Sequence, residues 1–123
     1  MNNDAFRFEA LQIWQRAAAV SSPLFKLADK LDERRYYRFA EQLRAAVLSI
    51  TNNIAEGSGS DSDMDFANFI NMARRSVFEV ANILILFSKE GYVNQAEIAP
   101  LLTELGEQSK MLKSFRATLK GTK

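Results

Sequence analysis

The chain has 123 residues, 47% hydrophobic and 25% charged, which describes one domain with a buried core and not a disordered tail. It holds no cysteine and no histidine, which excludes disulfides, zinc sites built from either residue, thiol nucleophiles, haem histidines and imidazole bases. With 16 basic and 15 acidic residues the formal net charge is +1, so no global field marks the chain for nucleic acid.

The N-terminal segment lacks the basic stretch, apolar stretch and small-residue cleavage site of a secretory signal. The longest apolar-rich run, residues 77–87, is interrupted by Glu79 and Asn82. A membrane span needs about 20 predominantly apolar residues, so this run is expected to be a buried helix in a cytoplasmic protein with no membrane partner.

Apolar spacing predicts helices over about 8–31, 34–57, 62–90 and 95–119 within a single domain, 1–123. In the first, Leu11, Trp14, Ala17, Leu24, Leu27, Ala28 and Leu31 make the stripe. Pro23 is expected to kink or break it, with Ser21 or Ser22 capping a second half. Asp32 and Glu33 make a short interruption before the second helix. That helix places Tyr36, Phe39, Leu43, Val47, Ile50 and Ile54 inward, with Gly57 as its left-handed stop. A small, polar run, GSGSDS at 57–62, follows, and Ser62 with Asp65 resembles a capping box. The third helix is apolar on all sides in its second half, VFEVANILILF, which argues for cover by another subunit. Gly91 ends it, with Tyr92 making the apolar contact of a Schellman cap. The fourth starts at Asn94, with Glu97, or at Pro100, and buries Leu101, Leu105, Leu112, Phe115 and Leu119. Four long helices with short connections give an all-α fold, an antiparallel up-down-up-down four-helix bundle.

Three segments then stand together: QLRAA at 42–46, SITNNIAEG at 49–57 and FANFINMARRSVFE at 66–79. Leu11, Trp14 and Gln15 precede them and the stretch ending in Gly91 and Tyr92 follows. This combination resembles the four-helix-bundle family encoded in intervening sequences of bacterial 23S ribosomal RNA genes, over nearly the whole chain. Two positions depart from the family pattern: Arg75 stands before Ser76 where glycine is frequent, and residues 31–33 replace a Pro-x-x-Glu turn. The resemblance implies a ring-like homo-oligomer, usually a homopentamer. Related bundles are accessory proteins of diversity-generating retroelements, in which a basic ring surface engages RNA and a reverse transcriptase.

Three constellations could carry chemistry. The first is polar: Gln42, Arg44, Ser49, Asn53 and Glu56 on the second helix, facing Ser76 and Glu79 on the third. As a site it would use Glu56 and Glu79 as an acid–base pair and Arg44 as an anion clamp, the chemistry of a small hydrolase or lyase. As structure it is a hydrogen-bond network in which Arg44 pairs with Glu79, and this reading is favoured because no other reactive group accompanies it. The second, Asp61, Asp63 and Asp65, resembles the opening of a calcium loop. Phe66 and Met72 occupy the positions that need glycine and glutamate, so the aspartates are helix caps and no metal is expected.

The third is charge segregation. Residues 110–123 carry Lys110, Lys113, Arg116, Lys120 and Lys123 without an acid, a local +5, whereas residues 92–109 carry Glu97, Glu104 and Glu107 without a base, a local −3. Arg34, Arg35 and Arg38 form a second basic cluster, beside Tyr36 and Tyr37. These seven residues (Lys110, Lys113, Arg116 and Lys120, with Arg34, Arg35 and Arg38) are the candidate nucleic-acid or partner surface. The expected function is non-enzymatic, with no cofactor: an oligomeric scaffold or accessory protein whose partners are itself and RNA or an RNA-associated protein.

Overall fold

The computed structural model describes residues 6–121. A single 3-10 turn, Arg7–Ala10, leads into α1 (Gln12–Glu33), α2 (Tyr37–Ser58), α3 (Asp63–Lys89) and α4 (Gln95–Leu119), and no strand occurs among the described residues. Each helix packs on its neighbours in the chain, and α1 closes on α4, so the helices form a bundle with α1 and α3 on one diagonal. Their directions follow from side-chain pairs. Lys30 near the end of α1 meets Glu97 near the start of α4, while Arg16 near the start of α1 meets Met111 far along α4. Ser49 meets Ser76 across α2 and α3, and Arg74 meets Ser109 across α3 and α4.

The apolar stripes fill the centre as their spacing requires. Leu24, Leu31, Leu43, Ile50, Ile54, Ile70, Leu84, Ile98, Leu105 and Leu112 are all fully buried. Aromatic rings close the two ends. Tyr36, Phe39, Phe87 and Tyr92 cluster at one, with centroids 4.8–5.9 Å apart. Phe66 and Phe115 pack edge-on at the other, 5.4 Å apart, and Phe8 packs on Trp14 at 5.2 Å.

The helix ends correct several expectations. Leu11 is extended, so α1 begins only at Gln12. Pro23 neither breaks α1 nor is preceded by a cap: the helix is continuous through it, and the Ser21 hydroxyl donates back to the Ala17 carbonyl at 2.8 Å. Packing of Leu24, Leu27 and Ala28 outweighs the one backbone hydrogen bond that proline removes. Asp32 and Glu33 belong to α1, and α2 starts at Tyr37, not at 34. Gly57 is not a left-handed stop. It lies inside α2, and its missing side chain lets α3 approach: a Cβ there would meet Phe69 Cβ at 2.6 Å and Phe66 at 2.8 Å. The caps expected at Ser62 and Asn94 form, at 3.1 Å to the Asp65 amide and 2.8 Å to the Ala96 amide, which leaves Pro100 inside α4.

Two Schellman turns sit at the same end. Gly91 adopts φ +81°, with Tyr92 N–H donating to the Phe87 carbonyl at 2.9 Å. After α1 the same geometry falls on Arg35, at φ +67°, with Tyr36 N–H donating to the Leu31 carbonyl at 2.9 Å. An L side chain in this region costs about 1–2 kcal/mol, which glycine avoids. Arg35 is exposed, so Arg35→Gly is expected to raise stability by about 0.5–1 kcal/mol after the entropy that glycine adds to the unfolded chain. A urea midpoint that rises at unchanged slope is the expected result; a midpoint at or below wild type contradicts it.

Candidate nucleic-acid interface

The acids and bases of α4 have different fates. Glu104 takes two hydrogen bonds from the Arg16 guanidinium, at 2.6 and 3.0 Å, and Glu97 takes one from Lys30 at 2.5 Å. Both acids therefore turn toward α1. Gln108, which sits three residues after Leu105 and is 2% exposed, donates to Glu104 and to the Arg16 carbonyl, each at 3.2 Å. The hydrogen bond from Arg16 is the main cause that holds the Glu104 carboxyl below the usual carboxylate range; partial burial opposes it, and the Gln108 amide adds to it.

This lowered carboxyl contributes stability that is complete at neutral pH. The contribution begins to fall as pH drops below the ordinary carboxylate range and is lost once pH passes the lowered value. Glu104→Gln is expected to flatten the acid limb of a stability-against-pH profile; an unchanged acid limb would show that the α1–α4 pair carries no pH dependence.

The lysines of the second half of α4 and of its C-cap have no such partners drawn from α1. Lys110, Lys113 and Lys120 are exposed, and the nearest acid contact is Glu107 to Lys110 at 3.8 Å. A pair that exposed contributes little. Arg116 differs from them. It is half-buried with its Nε enclosed, so it belongs to the flank of the core more than to an open basic stripe. Lys123 lies outside the described residues.

The two basic clusters do not merge. Arg34, Arg35 and Arg38 sit at the α1–α2 connection, which lies at the end of the bundle where α4 begins. Lys120 follows the close of α4, whose 25 residues span roughly 37 Å at 1.5 Å each. Arg34 donates to the Tyr92 carbonyl at 2.8 Å and lies over the Tyr36 ring at 5.0 Å, so it is engaged in joining the two turns. Tyr36 packs inward and Tyr37 is exposed.

The polar constellation also divides. Asn53 donates to the Ser49 hydroxyl at 3.1 Å, and the two serine hydroxyls are 2.8 Å apart. Ser76 directs its proton to the Met72 carbonyl at 3.1 Å, so Ser49 is the donor between them. This chain links α2 to α3. Arg44 does not pair with Glu79: it turns to α1, donating to Asp29 at 2.6 Å and Asp32 at 2.7 Å. The phase of α2 explains the difference, since Arg44 is one residue past Leu43 and faces the α1 side. Gln42, Glu56 and Glu79 are exposed and stand apart from the serine pair. In the register that Ser49 and Ser76 set, Glu79 lies about level with Ala46, which puts it roughly 15 Å along the axis from Glu56. The structure therefore does not assemble the acid–base pair with its arginine clamp.

α3 leaves two apolar edges in solvent. Phe78 and Ile85, seven residues apart, flank the α4 side at 54% and 44% exposure; Met72 and Leu86 flank the α2 side at 39% and 49%. Among the described residues no group of acidic side chains is placed to hold a metal ion, and no helix is long and apolar enough to cross a membrane.

Fold and surface together describe an all-helical bundle that presents charged and apolar faces. The family model of the 23S rRNA-intervening sequence protein matches residues 9–114, and the chain belongs to that family. In fold it is similar to the crystal structure of a protein of unknown function from the S23 ribosomal protein family of Bacteroides thetaiotaomicron. The TM-score is 0.80 at 22% identity, covering 85% of this chain and 97% of that one. No curated protein matches the chain.

Proposed function

We propose that the protein acts by binding and not by catalysis, as a self-associating bundle that holds RNA on the outer face of α4. The observation that carries this reading is the unequal pairing of α4. Two of its three acids, Glu97 and Glu104, are engaged by Lys30 and Arg16 of α1, which leaves the exposed Glu107 as the one acid beside the exposed Lys110, Lys113 and Lys120. A chain of net charge +1 thus keeps a local excess of positive charge on one surface. Closed symmetry would repeat that surface in every subunit and turn three lysines into a continuous band. Met72 and Leu86 on α3, with Leu48 on α2, supply exposed apolar area for contacts between copies. The ring of five implied by the family resemblance is the assembly we favour, and a cytoplasmic location suits an RNA partner.

The test combines light scattering with RNA binding. A mass of several subunits at micromolar concentration, and RNA binding abolished by joint reversal of Lys110, Lys113 and Lys120 to Glu, is the expected result. Arg116 is left in place because its Nε is enclosed. A monomeric mass contradicts self-association, and RNA binding unchanged by the reversal contradicts this surface.

A further inference from the structure

The groove between α3 and α4 brings together features that the lysines alone do not explain. Phe78 is 54% exposed on the α4 side of α3, a large ring that the core does not use. The Arg74 guanidinium lies over it, 5.1 Å from the centroid, and is itself anchored by donating to the Ser109 carbonyl at 3.2 Å. The same hydrogen bond sets the register of the two helices, placing Lys110 level with Arg74 and Lys113 about one turn further from Phe78, with Arg75 exposed on α3. The acids nearby are fewer: Glu107, exposed and 3.8 Å from Lys110, and Glu79, exposed on α3.

Across the groove, on α4, stands Gly106. Glycine in mid-helix costs about 1 kcal/mol relative to alanine, and a tightly packed neighbour normally accounts for it. Here a Cβ would meet nothing within 4 Å. In the Arg74–Ser109 register Gly106 lies within about a turn of Phe78. The result is bare backbone about a turn away across the groove from an exposed ring, which leaves room for a flat group laid on Phe78.

We propose that Phe78 is a stacking platform for an unpaired base of single-stranded RNA, with Arg74, Arg75, Lys110 and Lys113 holding the flanking phosphates. This rests on the RNA-binding reading above and names the form of RNA that fits. A paired base inside a duplex hides its face, whereas single strands offer it, and aromatic rings set among cations are the usual means of holding them. A second copy of this chain is the competing occupant of an exposed ring. The cations around Phe78 favour a polyanion over a copy that carries the same charges.

The experiment measures binding of a single-stranded RNA and of a duplex of equal length to the full chain. It uses wild type, Phe78→Ala, Phe78→Trp and Gly106→Leu, with light-scattering mass recorded for each. Tighter binding of the single strand by wild type is expected. Phe78→Ala and Gly106→Leu are expected to weaken it about tenfold or more, with Phe78→Trp near wild type and mass unchanged. Single-strand binding that survives both Phe78→Ala and Gly106→Leu overturns the platform while leaving the RNA reading intact. A fall in mass with Phe78→Ala assigns the ring to a contact between copies and also overturns it. No binding of either RNA by wild type removes the RNA reading itself, and the platform with it.

Discussion

Gly57→Leu is expected to lower the stability of the bundle by about 4 kcal/mol or more, a large share of the roughly 5–15 kcal/mol that holds a domain of this kind together. The cause is geometric. A Cβ at this position lies 2.6 Å from Phe69 Cβ and 2.8 Å from the Phe66 ring, closer than side chains approach. Phe69 Cβ is attached directly to the α3 backbone, so it can yield only if the helix moves. Gly57→Ala already carries this clash and is expected to cost about 2 kcal/mol, even though alanine favours helix by about 1 kcal/mol. Gly106→Ala is the matched control. Its Cβ meets open space, so it is expected to gain about 1 kcal/mol from helix propensity alone. Urea unfolding of the three variants checks this, and a Gly57→Ala midpoint at or above wild type would contradict the tight α2–α3 approach.

Leu84→Ala is expected to cost about 3–5 kcal/mol, through lost burial plus the cavity left behind. Leu84 is completely buried in the most apolar helix, with Val80, Phe87 and Val77 on the same face of α3. Leu86→Ala, two residues on, is the informative contrast. Leu86 is 49% exposed, so in a dilute monomer its truncation is expected to change stability by less than about 1 kcal/mol. If thermal unfolding gives equal losses for the two variants at the lowest concentration, the orientation of α3 described above is wrong.

The helices were legible because periodic apolar residues leave few alternatives: α3 and α4 end within a residue of their expected bounds, and Ser62 and Asn94 cap as their chemistry suggests. Gly57 misled because glycine after a periodic run has two physical uses, a left-handed turn and a close helix approach. Only the position of Phe69 on another helix separates them. Arg35 was missed for the converse reason: a left-handed residue that is not glycine carries no compositional mark. Pro23 shows tertiary packing outweighing a local breaker.

The candidate surface was legible only in part. Charge counting found the lysines of α4, but which acids they face depends on how α1 closes against α4, and no local spacing contains that. Gln108 was within reach, since it stands at core spacing between Leu105 and Leu112 and so had to be buried with a partner. Arg44 could be assigned to Glu79 or to α1 with equal ease until the phase of α2 was known; Asp29 and Asp32 take it. Phe78 stands in a stretch apolar on all sides, so spacing does not separate it from its buried neighbours, and only the packed bundle shows which side of α3 is left open.

RNA affinity as a function of salt, for wild type and for the joint Lys110, Lys113 and Lys120 to Glu reversal, tests the α4 surface most directly. Each phosphate contact on a single strand contributes about −0.7 to the slope of log affinity against log salt, so three lysines give a slope of about −2 per subunit engaged. A wild-type slope of that size or steeper, reduced toward zero by the reversal, is the expected result. A shallow wild-type slope, or a steep one that the reversal leaves unchanged, would contradict RNA binding on the outer face of α4.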